Sequence, residues 1–371
     1  MDNASPTASE VVGRVEAWLA VDGEPEPWVV ETSGSTGTPK QVLLSRRAVR
    51  ASAALSAARL GGSGRWILAL PPSYVAGLNV IARSLLAGSA PVILGDRDFG
   101  EAVREAGPGA FLSVVPTQLA RLLPSHPREL ATLHTVLLGG GPIDPALRVR
   151  AADVGVNVVA TYGSAETCGG CVYDGVPLDE VSVAIADDGR VRISGPTLAD
   201  GYSDPALTAE SFVDGWFLTS DAGRVEDGRL QVFGRIDDMV ITGGVNVPAP
   251  AVAARLRQHP EVAEAEVLGV PDEEWGNRLV AFVTLAESGL SSRRIGAFLT
   301  PSPEFLSEIR DWVAAERPRS WAPRQVVVLP EIPLLPNGKI DRQRLKALVE
   351  SGNPQLVAGE PGLGRRGGGI R

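Results

Sequence analysis

The chain has 371 residues, 44% of them apolar and 21% charged, and a formal net charge of −9. That length exceeds one simple core, so two domains are expected, and the acidic balance argues against a nucleic-acid surface, which needs a basic stripe. No run of about 18 apolar residues marks a membrane span. The opening MDNASPTASEVVGRVEAWLAVDG lacks the basic-then-apolar order of a secretory leader. Cys168 and Cys171, with no histidine near them, make neither a disulfide framework nor a zinc site and read as small buried residues. The cytoplasm is the expected compartment.

Arginine outnumbers lysine so heavily that the three lysines, Lys40, Lys339 and Lys346, stand out. The first ends TSGSTGTPK, residues 32–40, a loop rich in glycine and hydroxyl groups. It is not a Walker A motif, because Pro39 and Gln41 flank the lysine. The ingredients of a phosphate site remain: glycines that expose backbone N–H groups, hydroxyl donors and a cation. Standing alone, the same composition would also suit a surface turn.

Beyond the loop, SRRAVRASAALSAARLG 45–61 and GLNVIARSLLAG 77–88 read as helices. RWILAL 65–70, APVILG 90–95, AFLSVV 110–115, TVLLGG 135–140 and VNVVATYG 156–163 are short runs rich in Val, Ile and Leu. Alternation of such strands with helices predicts a parallel α/β sheet. Ligands bind such sheets at the carboxyl ends of the strands, where VVPT, LGGGP and TYGSAET fall. From about residue 176 the pattern shifts to short strands with turns at DDG and EDG, predicting β-hairpins. After GRIDDM come a helix APAVAARLRQHP, strands VAEAEVLGV and LVAFVTLA, a helix SEIRDWVAAE and a strand RQVVVLP, a small α+β unit. The expected organisation is a large domain over 1–235, a small mobile domain over 236–350, and a disordered tail over 351–371 whose GEPGLGRRGGGIR has nothing to bury.

Five stretches in this order give a family resemblance. TSGSTGTPK resembles the phosphate loop of the acyl-adenylate-forming superfamily: acyl-CoA synthetases, peptide-synthetase adenylation domains and luciferases. TYGSAET 161–167, FLTSD 217–221, GRIDDMVITGGVNV 234–247 and LPNGKIDR 335–342 match further motifs of that family. Its larger members carry well over a hundred residues before the loop, which here starts at residue 32. The resemblance therefore implies an N-terminally truncated first sheet, whose open face a partner subunit of a homo-oligomer could cover.

The reaction implied joins a carboxylate to the α-phosphate of ATP, releasing pyrophosphate, and then transfers the acyl group to a thiol, usually that of coenzyme A, releasing AMP. Such a step needs preorganised cations and donors more than an acid or a base. By the resemblance, Lys339 contacts the carboxylate and α-phosphate. Ser33, Gly34, Ser35, Thr36, Gly37 and Lys40 cradle the β- and γ-phosphates. Glu166, with Thr36, holds Mg²⁺, and Thr167 meets the α-phosphate. Asp221 accepts the ribose hydroxyls with Arg235 nearby. Tyr162 and Gly163, with the turn Gly139, Gly140, Gly141 and Pro142, form the adenine pocket. Asp237 is the hinge, and Gly243 borders the pantetheine tunnel. Read singly, Glu166 could be a helix-start carboxylate, Lys339 a turn lysine, and Asp221 with Arg235 a structural ion pair.

LPPSYVAGLNVIARSLLAG 70–88, SVVPTQLARLL 113–123 and VLLGGGPIDPAL 136–147 resemble the o-succinylbenzoate–CoA ligases of menaquinone synthesis. That implies an aromatic dicarboxylate substrate, held by Tyr74, Arg83, Ser113 and Thr117, with Gln118 either lining the pocket or structural. A histidine often stands in these relatives where Tyr74 stands here. A carboxylate that stays charged when buried needs a partner, and the guanidinium of Arg83 matches it bidentately. Another aryl- or acyl-CoA ligase, or an adenylation module loading a carrier-protein thiol, would use the same machinery.

Overall fold

The computed structural model describes residues 6–32, 40–286, 302–333 and 340–350. The chain divides into two compact units, Met1–Val232 and Phe233–Arg371. No helix among the described residues is long and apolar enough to cross a membrane.

The centre of the first unit is a seven-stranded sheet. Its spatial order is Val92–Ile93, Trp66–Leu68, Phe111–Val114, Thr135–Leu138, Val158–Ser164, Gly169–Tyr173 and Val176–Pro177. The first five strands run parallel, and the last two close the edge as antiparallel hairpins. All five predicted strands are present. Their continuous apolar character follows from burial on both faces: Trp66, Phe111 and Leu137 enter one core, while Ile67, Leu112, Val136 and Leu138 enter the other. This is the period-2 alternation of a pleated strand with each face covered.

Helices Ala8–Ala20, Arg46–Leu60 and Val75–Leu86 cover the first face, and Phe99–Ala106, Pro116–Ser125 and Pro145–Asp153 the second. Val75–Leu86 is the most deeply sunk, with every residue from Gly77 to Ser84 buried. A glycine is required at 77, because a Cβ there would lie 2.2 Å from the Pro71 carbonyl oxygen. That close approach brings Tyr74 and Arg83 against the carboxyl ends of the sheet.

The strands Trp28–Thr32 and Lys40–Leu44 form a hairpin, joined on its far side by Gly201–Tyr202. The hydroxyl-rich loop is the segment between these two strands, and the pair Thr32 and Lys40 closes it. A β-rich part follows in which Ser182–Ile185, Arg190–Ser194 and Trp216–Glu226 are neighbours. The EDG turn is a tight hairpin with Asp227 at φ 51° and Gly228 at φ 72°, the left-handed pair a type I′ turn requires. The strand Arg229–Arg235 leaves that turn and carries the chain across the division.

In the second unit Val262–Asp272, Gly276–Leu285 and Gln325–Val328 form a sheet. Helices Ala249–Leu256 and Pro303–Ala314 cover one face, and Leu345 of helix Arg342–Glu350 packs on the other. The α/β first unit and the smaller α+β second unit agree with the fold class expected from sequence. The expected tail, 351–371, lies outside the described residues.

Candidate active site

A cavity of about 560 Å³ opens at the carboxyl ends of the parallel strands. Tyr74, the N-cap of helix Val75–Leu86, lines it with Asn79 and Arg83 of that helix, Ser113 lines it from a central strand, and Gly139 and Gly140 from the turn after Thr135–Leu138. Three of the four residues expected to hold the acid therefore meet in one cavity. The fourth, Thr117, is exposed on helix Pro116–Ser125 and is not part of its wall; the neighbouring Gln118 is. Gln118 is also structural: its Oε1 accepts from Val115 N at 3.1 Å, capping that helix, and its Nε2 donates to Ala69 O at 2.8 Å.

Arg83 is the cation of this cavity. It is only 7% exposed, yet its Nε has no hydrogen-bond partner. One Nη donates to the Tyr173 hydroxyl at 3.4 Å, and the guanidinium lies 5.2 Å from the Trp66 ring centroid. No carboxylate of the described residues forms an ion pair with it. A buried charge with unused donors is costly unless an anion is supplied from outside, and a planar guanidinium suits a carboxylate.

Beside the cavity lie the residues expected to take the nucleotide. A Cβ at Gly139 would come within 2.4 Å of Thr161 Oγ1, so a side chain there forces a shift. Gly140 has φ 80° and Gly141 and Pro142 are exposed, so the turn presents backbone rather than bulk. Gly163 is equally constrained, with the Gly169 carbonyl oxygen 2.0 Å from a would-be Cβ. The Tyr162 hydroxyl donates to Asp221 Oδ2 at 2.7 Å. Burial, then the Asp221 charge, push the phenol pKa far above its ordinary value, so it remains a donor. Thr219 completes the arrangement by accepting from Asp221 N at 3.0 Å.

Glu166 is buried, and Tyr202 Oη donates to its Oε1 at 2.7 Å. No group of three or more His, Cys, Asp or Glu able to hold a metal occurs among the described residues. A single buried carboxylate such as Glu166 suffices for Mg²⁺, which commonly takes one or two protein carboxylates together with substrate phosphates and water. Thr167 is fully buried, and its hydroxyl is engaged by the backbone: it accepts from Ser164 N at 2.9 Å and donates to Gly169 O at 2.8 Å. Its side chain thus braces the turn that presents Glu166. Cys168, next in sequence, sits at φ 51°, and its carbonyl accepts from Asn79 Nδ2 at 2.7 Å and Ser52 Oγ at 3.1 Å. Asn79 therefore joins the wall of the cavity to the Glu166 turn. Tyr202 and Asn79 carry no motif of their own.

Ser33, Gly34, Ser35, Thr36, Gly37 and Lys339 lie outside the described residues, as does the side chain of Asp237. In the second unit Arg235 immediately precedes the short helical turn Ile236–Asp238. Gly243 and Gly244, both at positive φ, turn the hairpin between Met239–Thr242 and Val245–Pro248. A Cβ at Gly243 would lie 2.7 Å from the Trp275 ring. Arg342, three residues past Lys339, bonds Glu266 Oε1 at 2.8 Å and pairs with Asp238.

In the first unit, then, a cavity with a buried guanidinium lies beside glycine-built turns and the Tyr162–Asp221 pair at the carboxyl edge of a parallel sheet. The AMP-binding enzyme family matches residues 29–203 and its C-terminal domain residues 251–339. The probable 2-succinylbenzoate–CoA ligase of Mycobacterium tuberculosis is 40% identical over 355 residues, 92% of this chain and 89% of that protein. The 2-succinylbenzoate–CoA ligase of Listeria monocytogenes is 31% identical across 86% of this chain and 69% of its own. Among solved structures, the o-succinylbenzoate CoA synthetase of Bacillus subtilis in complex with the acyl-adenylate intermediate OSB-AMP matches with a TM-score of 0.72 and 28% identity, over 86% of this chain and 68% of that one. The same enzyme with ATP and a magnesium ion gives a TM-score of 0.71. The chain belongs to the 2-succinylbenzoate–CoA ligase family of AMP-binding enzymes.

Proposed function

We propose that this protein converts 2-succinylbenzoate, ATP and coenzyme A into 2-succinylbenzoyl-CoA, AMP and pyrophosphate, a cytoplasmic step of menaquinone biosynthesis. The observation that carries the substrate assignment is Arg83, a buried guanidinium with an unused Nε in the wall of a 560 Å³ cavity. A dicarboxylate whose aromatic carboxylate stays charged supplies the anion this cation lacks. Ser113 and the exposed Tyr74 line the same cavity and complete the acid site.

In the first half-reaction the succinyl carboxylate oxygen attacks the α-phosphorus, and the bond to the bridging oxygen of pyrophosphate breaks. Charge spreads over the phosphoryl oxygens, and by the motif match residues 33–37, Lys40 and Lys339 would receive it. Losing one preorganised donor of this kind costs about 10²–10³ in rate. Glu166 and Thr36 would hold Mg²⁺, which would neutralise phosphate charge. Asp221 takes the ribose hydroxyls, and the Gly139–Pro142 turn with Tyr162 and Gly163 takes the base. In the second half-reaction the thiol of coenzyme A attacks the acyl carbon, AMP leaves, and Gly243 borders the thiol's path. The large domain, 1–235, would carry the first chemistry and the small one, 236–350, would swing about Asp237 between the halves.

The test is thioester formation from ATP, Mg²⁺ and coenzyme A, with 2-succinylbenzoate beside benzoate, a fatty acid and acetate. Strong preference for 2-succinylbenzoate with release of AMP and pyrophosphate is expected. Preference for another acid would overturn the substrate, and pyrophosphate exchange without a coenzyme A product would overturn the acceptor. Light scattering of the same sample tests for a homo-oligomer.

A further inference from the structure

Glu166 is held from a direction the sequence motif does not include. Tyr202 belongs to a two-residue strand, Gly201–Tyr202, that pairs with Lys40–Leu44 through Gly201 with Leu43 and Tyr202 with Val42. Its hydroxyl donates to Glu166 Oε1 at 2.7 Å, the one hydrogen bond that carboxylate makes among the described residues. Its backbone is clamped by Thr208, whose Oγ1 accepts from Tyr202 N at 2.8 Å and donates to Tyr202 O at 3.2 Å. Only glycine fits at 201, since φ is 130° and a Cβ would lie 2.4 Å from the Thr208 methyl. Phe212 packs edge-on to the Tyr202 ring at 5.7 Å between centroids.

The face of that ring meets Lys40, whose Nζ lies 5.4 Å from the centroid, within the range of a cation–π contact. Lys40 is the residue that closes the hydroxyl-rich loop by pairing with Thr32. One aromatic ring therefore connects the base of the loop to the carboxylate.

We propose that Tyr202 is a positioning residue for magnesium–nucleotide binding: its hydroxyl fixes one oxygen of Glu166 so that the other faces the metal, and Lys40 in turn fixes Tyr202. The loop base and the metal-binding carboxylate then act as one rigid unit. This rests on the reading of Glu166 as the Mg²⁺ ligand of an adenylate-forming site.

The experiment compares wild type with Tyr202→Phe, which keeps the ring for Lys40 and Phe212 and removes a single oxygen. ATP binding is measured by calorimetry over a range of Mg²⁺ concentrations. Adenylation by pyrophosphate exchange and coenzyme A capture from a supplied acyl-adenylate are followed alongside. The expected result is about ten- to a hundredfold weaker Mg²⁺-dependent ATP binding, the scale of a hydrogen bond to a charged group. A matching fall in adenylation is expected, with coenzyme A capture unchanged. Thr208→Val, which loosens the clamp on Tyr202 and has no role in nucleotide binding, is expected to move binding the same way by about two- to tenfold, and it decides the matter should Tyr202→Phe not fold. Unchanged Mg²⁺ dependence in the variants, or an equal loss in both half-reactions accompanied by a lowered melting temperature, would reduce Tyr202 to a packing residue and overturn the proposal. If wild type binds ATP with no Mg²⁺ dependence, the reading of Glu166 falls and takes the proposal with it.

Discussion

The hydroxyl of Tyr162 donates to Asp221 Oδ2 at 2.7 Å, tying the last parallel strand of the large sheet to the long strand Trp216–Glu226 of the β-rich part. Asp221 thus spends one oxygen on the protein, and Tyr162→Phe removes that restraint on the proposed ribose acceptor while leaving the ring intact. ATP affinity is expected to fall about tenfold, the low end for a hydrogen bond to a carboxylate. An ATP analogue lacking the ribose 2′ and 3′ hydroxyls, compared by calorimetry, is expected to show little difference between the two proteins. An equal loss on both nucleotides would mean that Asp221 does not read the ribose.

Arg83 couples stability and function with opposite signs. Arg83→Met keeps much of the side chain's bulk and removes a buried charge whose Nε has no partner, so the melting temperature is expected to rise by a few degrees, on the order of 1 kcal/mol. The same change should raise the KM for 2-succinylbenzoate by about 10² or more, while a monocarboxylate analogue loses far less. Thermal melting and initial rates on the two acids check both halves. A melting temperature that dropped would show the guanidinium to be a structural element of the cavity wall.

The contrast between Arg83 and Tyr202 shows what the sequence could and could not carry. The parallel strands were legible because burial on both faces makes each an unbroken apolar run. Arg83 was legible because it lies in a recognisable stretch after YVAGL. Tyr202 lies 36 residues from Glu166 in sequence and meets it through a two-residue strand, too short for any periodic pattern. Thr117 and Gln118 differ by one step on a helix; the choice between them depends on the helix's rotation, which Gln118 sets by bonding Val115 N and Ala69 O. Thr167, expected to contact the α-phosphate, also bonds the backbone of Ser164 and Gly169 through its hydroxyl, next to the left-handed Cys168, a contact no motif announces. Helix Ala8–Ala20 carries its own local signal, the Thr7–Glu10 capping box ahead of Val11, Val15 and Leu19.

Gly139 gives a test by crowding and rescue. A Cβ at this position would meet Thr161 Oγ1 at 2.4 Å, and both residues line the cavity. Gly139→Ala is expected to cost about 1–3 kcal/mol and to weaken ATP binding, because the turn must shift. Removing the obstructing hydroxyl in the double variant Gly139→Ala, Thr161→Ala should recover most of the stability. Chemical denaturation of the three proteins reads this directly. A double variant no better than the single one would place the strain in the backbone instead, where the Thr161 carbonyl oxygen is the next neighbour at 3.1 Å.

The two cysteines set an alkaline limit on stability. Cys168 and Cys171 are fully buried, and desolvation pushes each thiol from 9.0 up to about 12. In the unfolded chain both thiols ionise near pH 9 while the folded protein still keeps them protonated. Their contribution is therefore complete below about pH 9 and is lost as pH rises toward 12, by about 1.4 kcal/mol per pH unit for each thiol. In denaturation curves between pH 8 and 11, the stability gap between wild type and the Cys168→Ala, Cys171→Ala double variant should narrow steadily with pH. Neither thiol of the folded wild type should react with a disulfide reagent at pH 8, and both should react once it is unfolded. A constant gap across that range, or fast labelling of the native protein, would show that the turn behind Glu166 is open to water.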